Sequence, residues 1–286
     1  MLGYVCKYTP MELFEAMDTE ITRLEPSVTD FNHADTLMHA NICSYTKAVL
    51  EDVMEHDYEG VILTTCCDSI RRLYDTLKSQ FPDKFFFLLD IPRKFNDFAV
   101  ALYERQLKQM LTEYEAFSGK TLDLKRFVSM MQNKAALKKQ ENTRMSASAA
   151  SEKGNGQKLN IGIMGARCNN EIRQLLVDRG ANLLFDLTCT GLARDFSITE
   201  DQILHSYAAA LLNQIPCMRM LKAANREHFL DGFTDRLDGI IYHTVKFCDS
   251  YSYEYADFRQ RLDLPILLVE TDSTRQCAGQ VRTRVE

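Results

Sequence analysis

The chain has 286 residues, with 45% hydrophobic and 26% charged residues, which are ordinary values for a globular protein. At a usual size of roughly 150 residues per domain, this length predicts two domains. No run approaches the roughly 18 apolar residues of a membrane span, and the N-terminus lacks a basic segment followed by an apolar core. We therefore expect a soluble cytoplasmic protein with no membrane partner.

Charge and motifs exclude two further classes of function. The net charge of -6 at pH 7, without a clustered basic stripe, argues against nucleic acid as the main partner. The most basic stretch, NKAALKKQENTR at 133–144, has helical spacing, so we interpret it as a solvated helix face. No GxxxxGK[ST] phosphate loop occurs, and neither KGNGQK nor GIMGAR has the full spacing of a dinucleotide fingerprint. We do not expect the chain to hydrolyse ATP itself.

Six short apolar runs predict β-strands that are buried on both faces. They span residues 60–65, 84–92, 159–166, 181–188, 237–245 and 264–272. Between them lie helical patterns in which apolar residues recur every three or four positions, as at Ile70, Leu73 and Leu77. Strands that alternate with helices are typical of parallel sheets, so we predict an α/β fold.

Two segments interrupt this alternation. Residues 94–145 predict two long helices, of which the first would end at Gly119. Residues 146–158, SASAASEKGNGQK, have the Ser, Ala and Gly composition of a flexible linker. We place a domain boundary there. The prediction is an N-terminal α/β domain with a helical extension and linker over 1–157, and a C-terminal α/β domain over 158–286.

Several cysteines directly follow predicted strands. Cys66 and Cys67 follow the first strand, Cys189 the fourth and Cys248 the fifth, and Cys168 lies just behind the third. Because the carboxyl ends of parallel strands form the ligand-binding edge of a sheet, these thiols can converge although they are distant in sequence. A disulfide framework is not expected, because cytosolic thiols stay reduced and nine is an odd number.

The tripeptide CDS occurs at 67–69 and again at 248–250, each time between a predicted strand and a predicted helix. We expect its Asp or Ser residue to cap the helix that follows. The positive end of a helix N-terminus also favours a thiolate over a thiol. The repeat therefore occurs once in each predicted domain.

Three interpretations of the cysteines stand side by side. Any one of them, taken singly, could be a small core residue, because free cysteine is among the most buried residue types. A cysteine nucleophile would need one thiol and a base, and this pattern has too many thiols. Their joint position at strand ends favours a metal site. Zinc sites more often contain a CxxC knuckle or a close Cys/His pair, so dispersed thiolates suit an iron-sulfur cluster better.

Seven segments, in order along the chain, carry a family likeness: GYVCKYTPMELFEAM, HANICSYTKAVLE, TTCCDSIRRLYD, FLLDIPRK, DLTCTGLARDF, KFCDSYSYEY and ETDSTRQCAGQVRTRVE. Together they resemble the 2-hydroxyacyl-CoA dehydratase and benzoyl-CoA reductase family. The likeness extends from residue 3 to the last residue and is broken mainly at 146–158. It implies two flavodoxin-like or Rossmann-like α/β domains with an iron-sulfur site between them.

The resemblance also implies a ligand set. By motif, the ligands of one [4Fe-4S] cluster are Cys43 (which the sequence places on a helix), Cys67 and Cys248. The chain adds Cys66, Cys189 and Cys217. Six thiols suffice for two cubanes with three ligands each, which favours the family's double-cubane branch and an [8Fe-9S] cluster. If Cys66 packs in the core instead, a dehydratase subunit with one [4Fe-4S] cluster is the better description.

The implied partners follow from the same resemblance. An ATP-hydrolysing iron-sulfur activator protein would supply low-potential electrons. In the dehydratases the cluster passes one electron to an acyl-CoA thioester and the resulting ketyl radical expels a hydroxyl group; related single-subunit members reduce small molecules. We expect a homodimer, or a heterodimer with a paralogous subunit. A non-catalytic electron-relay subunit is a further alternative, and no general acid or base is assigned.

Overall fold

A computed structural model describes residues 1–135, 158–168, 170–190, 198–199, 201–220 and 224–285. Eight β-strands form two four-stranded sheets within these residues, and every strand pairing is parallel. The predicted α/β class with two parallel sheets is confirmed. The predicted linker at 146–158, except for its last residue, and most of the basic stretch at 133–144 lie outside the described residues.

The first sheet has the strand order β2-β1-β3-β4. Its strands are β1 (Leu2–Tyr4), β2 (Ile21–Arg23), β3 (Gly60–Thr64) and β4 (Phe85–Leu89). The sequence predicts β3 and β4. The other two strands have no counterpart among the predicted segments, because each has only three residues, too few for a hydrophobic pattern to show. They are strands because β1 pairs with a neighbour on each side.

The second sheet has the order β6-β5-β7-β8. Its strands are β5 (Asn160–Gly165), β6 (Asn182–Thr188), β7 (Gly239–Val245) and β8 (Ile266–Thr271). All four coincide with predicted segments. The central strand β7 is buried along its whole length, as a continuous apolar run at the middle of a parallel sheet requires.

The helices connect and cover the strands. In the first half they are α1 (Met11–Ala16), α2 (Asn32–Leu37), α3 (Ser44–Glu55), α4 (Asp68–Gln80), α5 (Asp97–Ser118) and α6, which is described over 124–135. In the second half they are α7 (Asn170–Asp178), α8 (Ile203–Leu212), α9 (Ala224–Asp231), α10 (Asp249–Arg261) and α11 (Ala278–Val285), with 3-10 turns at Thr234–Arg236 and Arg275–Cys277. Among the helices described, none has the length and apolar character that a bilayer crossing needs.

The break between α5 and α6 lies where the sequence predicts it. Gly119 follows α5 with a φ of 71°, in the left-handed region, and its N–H donates to the carbonyl of Glu115. Asn96 directly precedes the first residue of the same helix and caps it, because its side chain accepts a hydrogen bond from the N–H of Ala99 at 2.8 Å. A polar cap at the start and a left-handed glycine at the end therefore define this helix.

Both sheets have the same internal order. The first strand of each sheet, β1 or β5, has the second strand on one side and the third on the other. The chain thus reverses direction across the sheet between β1 and β3, and again between β5 and β7. In open parallel sheets, ligands bind in the crevice beyond the carboxyl ends of the strands at such a reversal. Each sheet accordingly offers one potential site, at equivalent places.

Apolar side chains from the N-terminal and C-terminal halves of the chain pack in shared core clusters. One core cluster contains residues of both sheets, including Val61 and Leu63 of β3 and Tyr242 and Val245 of β7. A second cluster lies on the other side of the first sheet and includes Leu211 of α8, a helix from the C-terminal half. The domain boundary near residue 157 stays a prediction, while α8 packs with the N-terminal core.

Leu211 offers a test of this packing. Its side chain is fully buried, so Leu211→Ala should leave a cavity and lower the free energy of unfolding by about 2–5 kcal/mol. Denaturant titration followed by circular dichroism measures the change. Val177→Ala on α7, where the side chain is 59% exposed, is the control and should change stability by less than about 0.5 kcal/mol. Equal effects of the two substitutions would contradict the packing of α8.

Gly165 offers a second test, at the end of β5. It has a φ of 105°, and a Cβ atom there would lie 2.1 Å from the carbonyl oxygen of His243 on β7. Gly165→Ala should therefore cost about 2 kcal/mol or more, because it meets both a strained backbone and a steric clash. Gly279→Ala is the matched control, since nothing lies within 4 Å of its added Cβ, and it should be neutral or stabilising. A melting temperature that falls equally in both variants would contradict this close approach of β5 and β7.

Candidate functional site

One cavity brings the predicted cysteines together. It has about 820 Å³ of empty space, part of it open to solvent, and its lining includes residues that follow β1, β3, β5 and β7. Seven of the nine cysteines line it: Cys6, Cys43, Cys66, Cys67, Cys189, Cys217 and Cys248. No disulfide joins any of the nine, all of which belong to the described residues. The set contains every cysteine predicted as a ligand and adds Cys6.

Three of these thiols occupy the same position relative to a helix. Cys43, Cys67 and Cys248 each stand immediately before the first residue of a helix, at the N-terminal ends of α3, α4 and α10. The expectation that Asp or Ser of the CDS repeat caps the helices is wrong, because α4 and α10 begin at the Asp itself and neither has a side-chain cap. Cys43 likewise precedes its helix and does not lie on it. The free N–H groups of a first turn favour thiolates at these places.

A hydrogen bond between the two halves places Cys43 beside Cys248. The N–H of Ser44 donates to the carbonyl oxygen of Lys246 at 3.2 Å. The turn that leads from there to Cys248 is tight: Phe247 has a φ of 65°, rare for a bulky residue, and the N–H of Cys248 donates to the carbonyl of Val245. The start of α3 is thus joined to the loop after β7.

The thiols of Cys43 and Cys248 are hydrogen-bonded to each other. This bond, with Cys248 donating, lowers the pKa of Cys43 to about 7 against the opposing effect of burial, and the backbone N–H groups of Thr46 and Tyr45 contribute. The same bond raises the pKa of Cys248. The pair therefore loses its first proton readily and its second with difficulty.

The adjacent cysteines after β3 also interact. A hydrogen bond with Cys67, together with burial, raises the pKa of Cys66 well above its usual range. The preceding residue, Thr65, is fixed by its hydroxyl group, which donates to Asp90 at 2.7 Å and accepts from the N–H of Ile91 at 3.1 Å. The loop after β3 is therefore anchored to the loop after β4.

The remaining cavity thiols lie around Cys6. Burial, followed by the proximity of Cys66 and Cys217, raises the pKa of Cys6 to about 11. Burial and the neighbouring Cys217 raise the pKa of Cys189 to about 12, and the Cys189 sulfur lies 2.7 Å from the hydroxyl of Tyr251. Sequence reasoning missed Cys6 because the strand it follows has only three residues. Once β1 is recognised as a strand, the same observation, that thiols follow the carboxyl ends of strands, identifies Cys6 as well.

Two cysteines lie outside the cavity. Cys168 is completely buried in a third core cluster with Ile163, Ile172 and Val269. The suggestion that it forms a fourth strand-end thiol of the site does not hold, because its side chain packs among apolar neighbours. Cys277 lines a smaller neighbouring pocket, and its thiol donates to the carbonyl of Thr274 at 3.0 Å.

Three cations line the thiol cavity, while none of the described residues that line it is acidic. Lys7 donates to the carbonyl of Ile215, and burial lowers its pKa. Arg167 donates to the carbonyls of Val5 and Leu24 and lies 4.2 Å from the centroid of the Tyr45 ring. Arg167 also lies 3.9 Å from the carboxylate of Glu25, a residue that does not line this cavity. The described lining therefore carries positive charge and no carboxylate, which favours an anionic occupant.

Arg219 is the third cation. One of its nitrogens, Nη2, donates to the carbonyl of Thr65 at 2.8 Å. The other two, Nε and Nη1, are buried and have no hydrogen-bond partner among the described residues. Buried N–H groups nearly always have a hydrogen-bond partner in folded proteins. These two donors without a partner therefore also indicate that an acceptor binds in the cavity.

The donor set fits a polynuclear iron-sulfur group. No three or more His, Cys, Asp or Glu side chains in the described part of the chain are arranged around a single metal ion. The thiols are instead distributed around the cavity wall. Soft thiolate ligands favour iron-sulfur clusters and a few thiophilic metals. A cluster with several irons can be bound by thiolates from different parts of the cavity wall.

Comparison with known proteins places the chain in a family. A model of the family described as 2-hydroxyglutaryl-CoA dehydratase, D-component, matches residues 6–145 and 128–286. These two matches contain all seven cysteines of the cavity. No curated protein matches the chain. The predicted family is confirmed: the chain belongs to the 2-hydroxyglutaryl-CoA dehydratase D-component family and is a component of the 2-hydroxyacyl-CoA dehydratase type.

Proposed function

We propose that the protein is an iron-sulfur reductase of this family that binds an [8Fe-9S] double-cubane cluster in the thiol cavity and reduces a small molecule. The observation that supports this proposal is the convergence of seven thiols from both halves of the chain on one cavity. A single cubane with three protein ligands would leave four of these thiols without a role. Two cubanes with three ligands each use six.

The contacts within the cavity support a division into two sets of ligands. Three thiols precede helix N-termini and form the first set: Cys43, Cys67 and Cys248. The second set, Cys66, Cys189 and Cys217, consists of the thiols whose charges interact with Cys6. Cys66 and Cys67, adjacent in sequence and hydrogen-bonded, would join the two sets.

When bound, such a cluster supplies electrons of low potential. The residues of the chain hold it and control its surroundings. Apolar side chains such as Val5, Ile70 and Val245 line the cavity and limit the access of water. Burial raises the pKa of Tyr8 and Tyr251, so both keep their hydroxyl protons and can donate hydrogen bonds to sulfur. These groups tune the potential through hydrogen bonds and burial.

Electron delivery in this proposal requires a partner. The chain has no GxxxxGK[ST] phosphate loop, so the hydrolysis of ATP would take place in a separate iron-sulfur activator that docks on it. The functional unit would be a homodimer, or a heterodimer with a paralogous subunit. Anaerobic size-exclusion chromatography with light scattering measures this state.

The packing of Cys66 supports one alternative function. Cys66 is partly buried and packs against the core cluster that both sheets share. If that packing is its whole role, the protein holds one [4Fe-4S] cluster on Cys43, Cys67 and Cys248 and acts as a subunit of a radical 2-hydroxyacyl-CoA dehydratase, with an acyl-CoA as the substrate.

The iron content separates these functions. Protein purified and reconstituted without oxygen should contain close to eight irons per chain, the content of the proposed cluster. Cys66→Ser should lose about half of this iron, because one cubane loses a thiolate ligand. Cys277→Ser is the control and should retain all of it, since Cys277 lies outside the cavity. Inductively coupled plasma mass spectrometry and a sulfide assay give the counts.

Other counts would contradict the proposal in distinct ways. Close to four irons, with no change in Cys66→Ser, would favour the dehydratase subunit. Colourless protein without iron after reconstitution would overturn both functions and leave an α/β protein with core thiols. Cys6→Ser should retain the iron content, because the two ligand sets do not include Cys6.

The proposed dependence on an activator leads to a second prediction. With a cognate ATP-hydrolysing iron-sulfur activator and a reductant, the cluster should be reduced only when ATP is present. Electron paramagnetic resonance at low temperature detects the reduced cluster, and product analysis detects turnover of an added small molecule or acyl-CoA. Omission of ATP is the control. Reduction without turnover of any substrate would instead identify an electron-relay subunit.

A further inference from the structure

Arg219 connects the chain segments that carry two of the proposed ligands of the second cubane, Cys66 and Cys217. It follows Cys217 by two residues, and its Nη2 donates to the carbonyl of Thr65, the residue before Cys66, at 2.8 Å. This hydrogen bond holds the side chain against the loop after β3. The side chain also lines the thiol cavity. Its charge acts on Cys66, whose pKa it lowers against the larger effects that raise it.

The three cations of the cavity differ in what their donors contact. Lys7 donates to the carbonyl of Ile215, and Arg167 donates to two backbone carbonyls and stacks on Tyr45. These contacts explain their positions without any bound group. Arg219 differs, because Nε and Nη1 are buried and meet no acceptor among the described residues. A guanidinium group cannot lose its proton to avoid this cost, so an acceptor is needed.

The neighbours of Arg219 define the kind of acceptor. Seven thiols line the cavity beside it, and none of the described lining residues carries a carboxylate. The planar fork of a guanidinium group matches an acceptor that takes two parallel N–H bonds or two acceptors side by side. Inorganic sulfide and thiolate sulfur of a cluster held by Cys66 and Cys217 are acceptors of this kind.

We propose that Arg219 donates hydrogen bonds from Nε and Nη1 to the sulfur atoms of the cluster and thereby raises its reduction potential. This inference rests on the proposed cluster. Hydrogen bonds and positive charge both stabilise the reduced, more negative form, so they raise the potential of an iron-sulfur centre. Arg219 would then set the potential of the cubane held by Cys66, Cys189 and Cys217.

A redox titration of a variant tests the effect on the potential. Arg219→Lys keeps the positive charge and removes the fork of N–H donors. It should retain the iron of the wild type and shift the equilibrium at least tenfold towards the oxidised cluster, about 59 mV for one electron. Arg72→Lys on α4, whose side chain is 66% exposed, is the matched control and should not change the potential. Equal potentials for all three proteins would overturn the inference.

A spectroscopic measurement tests the contact directly in the unaltered protein. With ¹⁵N-labelled arginine, electron-nuclear double resonance of the reduced cluster should detect nitrogen coupling that is present in the wild type and lost in Arg219→Lys. If the Arg219→Lys variant does not bind the cluster, the Arg167→Lys variant is measured in its place. The coupling should persist in that variant, because Arg219 is unchanged.

The outcomes separate this inference from the proposed function. A wild type with full iron but no nitrogen coupling would show that water satisfies Arg219, which overturns the inference and leaves the cluster in place. Coupling that survives in Arg219→Lys would assign the contact to another arginine and overturn it as well. A wild type without iron would overturn the proposed cluster first, and the inference with it.

Discussion

The apolar core shared by the two sheets holds the carboxyl ends of their strands against one another. Parallel strands all end at the same edge, so the loops of one sheet meet the loops of the other across a single cavity. The hydrogen bond from Ser44 to Lys246 connects the two edges at the point where Cys43 and Cys248 meet. The convergence of thiols and the position of Arg219 both depend on this arrangement.

Burial gives the cavity its chemical character. It raises the pKa of Cys6 and Cys189, and it adds to the hydrogen bond with Cys67 that raises the pKa of Cys66, so these three thiols would hold their protons at neutral pH in the absence of a metal. The pKa of Cys43 is lowered instead, because Cys248 donates a hydrogen bond to it. Since a metal displaces thiol protons when it binds, the same burial that disfavours free thiolates leaves them available to a cluster. Lys7, Arg167 and Arg219 line the same cavity and would place positive charge beside such an anionic group.

The two halves repeat one plan with different details. Both sheets have the same strand order, and Cys67 and Cys248 stand at equivalent places, before the helix that follows the third strand of each sheet. Beyond this pair the halves differ. Cys43 precedes α3, which comes before the third strand of the first sheet, whereas Cys189 follows β6. The repeat provides a common framework, and in the proposed function the asymmetric thiols would determine which cluster it holds.

The sequence by itself determined the fold class and identified most of the thiols that line the cavity. Long apolar runs mark the six longer strands, and a left-handed glycine marks the end of α5, because these signals are local. The strand-end rule and the family motifs together found six of the seven cavity thiols. Only the tertiary structure decided the rest. The two three-residue strands exist through pairing with neighbours, so Cys6 could not be recognised as a strand-end thiol. Arg219 is distinguished from other arginines by two buried donors that lack an acceptor, a property of the folded chain and of no local pattern.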